Sequence, residues 1–180
     1  MYLGDILWLS QKGPITSLDF EVQIPQANTV ETIIGLVLEI GAGATQKTEI
    51  RCLENVRDRQ KNYYVDAAKY LGLVREKKQG LVLSPIGQRF CEATPENQAR
   101  ILIRQMFGMY SIRVFCQELI HSGTASIEES IKRGLPRLMQ LVEVDEKLGP
   151  EKKPYSLETI ERRAQSAQRW IDWIFQQADK

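Results

Sequence analysis

VRDRQKNYYVDAAKYLGLVREKKQGLVLSP, from Val56 to Pro85, is the stretch whose reading decides the fold. Its first half has helical periodicity: Tyr64, Ala68 and Leu71 fall at steps of four and three, which stacks them on one face. Arg57, Arg59, Gln60, Lys61 and Tyr63 are left largely outward. Gly72 follows at once and suits a helix C-terminus, because glycine enters the left-handed conformation without a Cβ penalty. The second half has the signature of a hairpin. Leu73-Val74 and Leu81-Val82-Leu83 are apolar edges around the polar tip Glu76–Gly80, and Gly80 can take the positive φ of a tight turn.

Upstream, Asn28 or Thr29 caps a helix with stripe residues Val30, Ile33, Ile34, Val37 and Leu38, which stops at Gly41-Ala42-Gly43. Thr45 opens a second helix, TQKTEIRCLE, with Ile50 and Leu53 inward, and Asn55 opens the third. Three helices and a hairpin with Lys77 and Lys78 at its tip follow the order of a winged helix-turn-helix. The expected fold class is therefore mainly α with a small β-hairpin wing. PIGQRFCEA, anchored by Ile86 and Phe90, closes this unit.

Beyond it, Thr94-Pro95-Glu96 is a good helix start, since proline suits the first turn and an acid there complements the helix dipole. The pattern predicts one long helix from there to His121. Ser126 and Glu129 have capping-box spacing for SIEESIKRGL. RLMQLVEVDEKL fits a helix or a strand, and GPEKKP is an exposed connector. The last helix, Ser156 to Gln176, places Ile160, Ala164, Ala167, Ile171 and Ile174 on one face and Arg162, Arg163, Gln165, Ser166 and Arg169 elsewhere. These helices suggest a second helix-turn-helix-like unit. The expected division is residues 1–28 as an arm or edge strand (with FEVQIP), 29–93 as the winged unit and 94–180 as the second unit.

With 180 residues, 43% hydrophobic and 26% charged, the chain has the composition of a globular protein with a proper core. Its apolar runs are too short and too charged to cross a bilayer, and Met1 is not followed by a secretory signal, so no membrane partner and a cytoplasmic location are expected. Cys52, Cys91 and Cys116 are far apart in sequence and there is one histidine, His121, so a metal site is not expected and the cysteines read as reduced, buried thiols. His121 suits the C-terminal end of a helix dipole. The E-x-D-x-K run Glu143, Asp145, Lys147 follows no clear strand, and the glycines at Gly41 lack a phosphate-loop lysine. No catalytic residue and no cofactor are expected.

A net charge of +1 does not announce nucleic acid, but its distribution is uneven, with bases gathered in RDRQK, REKK and ERRAQSAQR. Groove-reading helices need side chains that pair with base edges, arginine with guanine and glutamine or asparagine with adenine. Arg57, Arg59, Gln60 and Lys61 supply them, with Asn62 and Tyr63 adding amide and hydroxyl groups. Thr45, Gln46 and Lys47 can hold a phosphate at the preceding helix start, and Lys77 and Lys78 reach backbone or minor groove. Arg162, Arg163 and Arg169 are the corresponding candidates in the last helix. Against this stands a plainer reading: RDRQK as a solvated face, Glu158 paired with Arg162 at i,i+4, and Trp170 and Trp173 as core or interface anchors.

QKNYYVDAAKYLGLV with LVLSPIGQRF, followed by SLETIERRAQSAQRWIDWI, resembles a bacterial winged-helix module attached to, or encoded beside, restriction endonucleases and ATP-dependent defence proteins. The resemblance covers residues 28–176, and its most specific part is Thr159 to Ala164 with Trp170 to Ile174. It implies a non-enzymatic protein that binds double-stranded DNA in a restriction-modification or related setting. The alternative is a protein-interaction module that docks onto a nuclease or ATPase without touching DNA. A symmetric homodimer is compatible with either.

Overall fold

The computed structural model describes residues 3–13, 25–122, 129, 133–134 and 157–178, the side chains of residues 3, 119 and 157–164 excepted. These residues are mainly helical, with one antiparallel two-stranded sheet. The chain divides into two units, Ile24–Gln105 and a second made of Met1–Gln23 with Met106–Lys180.

In the first unit, α2 (Val30–Gly41) buries Val30, Ile33, Leu36, Val37 and Ile40. Full burial of such side chains contributes about 1.5–3 kcal/mol each. Leu38, expected on that stripe, is instead 37% exposed, because the buried face turns toward Leu36 and Ile40. Helix α2 ends as its glycines predict. Ala44 N–H donates to Glu39 O and Gly43 N–H to Ile40 O, with Gly43 at φ +111°. That is a Schellman closure. Helix α3 (Asp58–Tyr70) ends in the same way, Leu73 N–H donating to Ala68 O and Gly72 N–H to Lys69 O, with Gly72 at φ +70°. Its buried face is Val65, Ala67, Ala68 and Tyr70, while Tyr64 is half-buried.

The α-helix expected over TQKTEIRCLE does not form. Two 3₁₀ turns, Lys47–Glu49 and Arg51–Leu53, take its place around an extended Ile50 (φ −87°, ψ 102°). Carboxylates compete successfully for the N–H groups that a continuous helix would use: Glu39 accepts from Arg51 and Cys52, and Glu49 from Thr45 and Gln46. Ile50 and Leu53 point inward as expected, at 1% and 0% exposure.

Strands β1 (Val74–Lys77) and β2 (Gly80–Leu83) pair in the register Val74 with Leu83 and Lys77 with Gly80. Helix α4 (Pro85–Glu92) starts on Ser84, whose Oγ accepts from Gly87 N–H and donates to Gly72 O. Phe90, on the inner face of this helix, is fully buried. Helix α5 (Pro95–Gly108) follows.

The single helix expected from residue 94 to His121 is two helices, for α5 stops at Gly108 and α6 (Tyr110–Ser122) begins after Met109. The break frees the Phe107 carbonyl, which accepts from Arg113 Nε at 3.3 Å and Nη2 at 2.7 Å. Within residues 1–28, expected to be an arm or edge strand, Leu3–Lys12 is a helix, α1. Ile6 and Leu9, three apart, give it an apolar face that packs on α6 and on α7 (Leu157–Ala178). The C-terminal carbonyls of α1, orphaned by the helix end, are taken up by α6. Arg113 Nη1 donates to Gly13 O at 2.6 Å and Gln117 Nε2 to Ser10 O at 2.9 Å. FEVQIP up to Ile24, most of SIEESIKRGL and the stretch 135–156 lie outside the described residues. Among the described residues no helix is long and apolar enough to cross a membrane.

Candidate nucleic-acid interface

The turn between α2 and α3 joins two neighbours. On one side Lys47 Nζ donates to Asn62 Oδ1 at 2.6 Å, tying the turn to the early part of α3. On the other, Leu81 N–H donates to Thr45 O at 2.8 Å and Gln46 Nε2 to Gln79 O at 3.3 Å, tying it to the hairpin tip. Gly80 makes this approach possible. It sits at φ +122°, and a Cβ there would lie 2.5 Å from Thr45 O. No non-glycine described residue takes a positive φ, so the unusual conformation of the hairpin falls on the glycine next to the Lys78-Gln79 turn.

The turn is held by its acids. Two backbone amides and the Thr45 hydroxyl donate to Glu49, and the Thr45 and Gln46 amides hold its carboxyl below the usual range. Burial pushes Glu39 upward, but the amides of Arg51 and Cys52 outweigh it and leave the carboxyl lowered. The hollow of about 360 Å³ beside this turn is walled partly by these same two acids and Arg51. Both carboxylates are already engaged with backbone amides, so neither is a free general acid or base.

Thr45 and Gln46 thus present side chains around an occupied turn, because the backbone N–H groups expected to hold a phosphate already donate to Glu49. Lys47 is half-buried against Asn62, and Lys61 is paired with Asp58 at 3.1 Å. Arg57, Arg59 and Gln60 are exposed at the start of α3, as are Lys77 and Lys78 at the tip. No ion pair joins Arg57, Arg59, Lys77 or Lys78 to another described residue. Tyr63 is half-buried and its hydroxyl accepts from Arg59 Nε at 2.9 Å. A further bond, Lys69 to Glu76 at 2.8 Å, fastens α3 to β1; it raises the lysine and lowers the acid.

Arg169 is exposed on α7, in the other unit, and the side chains of Arg162 and Arg163 lie outside the described residues. Helix α7 buries Ser166, Ala167, Trp170, Ile171, Trp173 and Ile174. Ser166, expected on the polar surface, is at 0% exposure because the two tryptophans widen the inward stripe to include its side of the helix. His121 lies in the last turn of α6, its Nδ1 2.7 Å from Gln117 O. The three thiols are free, and burial pushes Cys52 to about 11 and Cys116 to about 12, far from nucleophile behaviour at neutral pH.

Charge divides unevenly between the units. Residues 24–105 carry twelve Lys and Arg against nine Asp and Glu, a net +3; the remainder carries twelve against fourteen, a net −2. Sequence reasoning missed Glu39, Asn62, Arg113 and Gln117 as structural clamps. Glu49 carried a signal, standing three residues after Gln46 in capping-box spacing.

The chain belongs to the family described as Domain of unknown function (DUF7226), whose model matches residues 32–179. No curated protein and no solved structure matches it. The family span runs from within α2 to just past the end of α7, so it takes in most of both units.

Proposed function

We propose that residues 24–105 act as a winged helix-turn-helix that binds double-stranded DNA, with α3 as the reading helix and the β1–β2 hairpin as the wing. The observation that carries this reading is the bracket at Thr45–Lys47. Through Asn62 on one side and Gln79 and Leu81 on the other, it fixes the early turns of α3 to the hairpin tip. Arg57, Arg59 and Gln60 are thereby carried by a segment anchored to the one that carries Lys77 and Lys78. The net +3 of this unit supports phosphate binding. In this reading the protein is non-enzymatic and supplies target recognition or regulation in a restriction-modification or related defence system, as the resemblance implies. In the second unit Trp170 and Trp173 of α7 serve the core, and Arg169 is a secondary contact at most.

Retention of duplex in electrophoretic mobility shifts at two salt concentrations tests the proposal. Affinity falls steeply with salt, and Arg59→Ala or Lys77→Ala weakens it. Absence of retention across a panel of duplexes at low salt overturns it. One observation favours a protein-docking role: Trp8, on the outer side of α1, is 56% exposed. Co-purification with a nuclease or ATPase, without DNA binding, is the outcome that selects this alternative.

A further inference from the structure

The cations around α3 fall into two groups. Lys47, Lys61 and Lys69 are committed to Asn62, Asp58 and Glu76. Arg57, Lys77 and Lys78 are exposed and have no ion pair among the described residues. Arg59 fits neither group. It is exposed and outside any described ion pair, yet its Nε donates to Tyr63 Oη at 2.9 Å and its guanidinium carbon lies 6.0 Å from the Tyr63 ring centroid.

That contact has a chemical consequence. A guanidinium has five N–H donors in a rigid plane. With Nε committed to the tyrosine, the outer edge formed by Nη1 and Nη2 is left free, and two parallel donors are what guanine O6 and N7 accept. The residues stand four apart on one helix, so Tyr63, itself half-buried, holds the arginine before any ligand arrives. An unheld arginine must instead be ordered on binding, which weakens its contribution.

We infer that Tyr63 is a positioning residue for Arg59, and that the held guanidinium is the group that discriminates a G·C pair in bound duplex. This deepens, and rests on, the DNA-binding reading above. Arg57, Lys77 and Lys78 then supply charge rather than discrimination.

The test uses the full chain and a duplex selected by it from a random pool. Affinity is measured by fluorescence anisotropy for that duplex and for copies in which each G·C pair is replaced by A·T. One replacement weakens the wild type at least about tenfold, the size expected for loss of a bidentate contact. Arg59→Lys keeps the charge but not the fork, and abolishes that difference. Tyr63→Phe keeps the ring but not the acceptor, and reduces the difference several-fold. Neither variant changes the salt slope or the thermal midpoint, which a merely structural role for Tyr63 would move.

Full discrimination by Tyr63→Phe overturns the role of the tyrosine. Wild-type binding without G·C preference, or discrimination retained by Arg59→Lys, overturns the whole inference while leaving DNA binding standing. No binding by the wild type at low salt overturns the underlying reading, and the inference with it.

Discussion

Helices α3 and α7 are both amphipathic and both carry arginines, yet their surroundings differ. On α3 the arginines stand at the N-terminal end beside a braced turn, and the buried face is made largely of small residues, Ala67 and Ala68 with Val65 and Tyr70. On α7 the buried face holds two tryptophans, at 0% and 7% exposure. The difference teaches that a basic face is only a candidate surface. What separates an interface from a solvated helix is whether neighbouring elements fix it in place.

The contrast is broken most forcefully from the α7 side. Trp170→Ala empties a fully buried site and is expected to cost about 3–5 kcal/mol in denaturant unfolding; a loss below 1 kcal/mol on this scale would remove α7 from the core. Arg113→Met comes next. It strips the donors from Gly13 O and Phe107 O, so roughly 1–3 kcal/mol should disappear and proteolysis should reach α1 sooner. On the α3 side, Gly80→Ala combines a strained φ with a clash on Thr45 O, and is expected to cost about 1–3 kcal/mol in the same measurement, together with loosening of the hairpin.

Glu39 offers a smaller, pH-dependent effect. Its folded carboxyl sits below its ordinary value of 4.5, so the stability it contributes is present above that pH and is lost as pH falls through the lowered folded value. Thermal midpoints of wild type and Glu39→Gln should differ at neutral pH and converge in acid. Smallest of all is the stability effect of Arg57→Ala or Lys77→Ala, within about 0.5 kcal/mol. Their mark should be on DNA instead, each reducing the salt slope of binding by about one if it meets a phosphate.

The hairpin and both helix stops were legible because Gly43, Gly72 and Gly80 each announce a local requirement, and all three take a positive φ. The buried positions of α7 were legible from Ala167 to Ile174 for the same local reason, helical periodicity. The missed features depend on distant partners. The break at Met109 is supported by Arg113, whose guanidinium also holds Gly13, one hundred residues earlier. The 3₁₀ turns at 47–53 depend on Glu39, whose carboxylate reaches forward to Arg51 and Cys52. Helix α1 was hidden by brevity, since ten residues with an exposed Trp8 give a weak stripe. Of the candidate site, residue types could be read from sequence; which cations were already committed could not.

The bond from Leu81 to Thr45 has a kinetic meaning. A two-stranded hairpin is marginal alone, but this extra backbone bond makes opening of the ribbon depend on the turn that precedes α3. The Leu81 amide should therefore exchange its hydrogen slowly, with the core, while the amides of Lys78 and Gln79 exchange at the rate of a surface loop. A ligand meeting this tip would need to order lysine side chains but little backbone, so less of the binding free energy would be lost to conformational entropy.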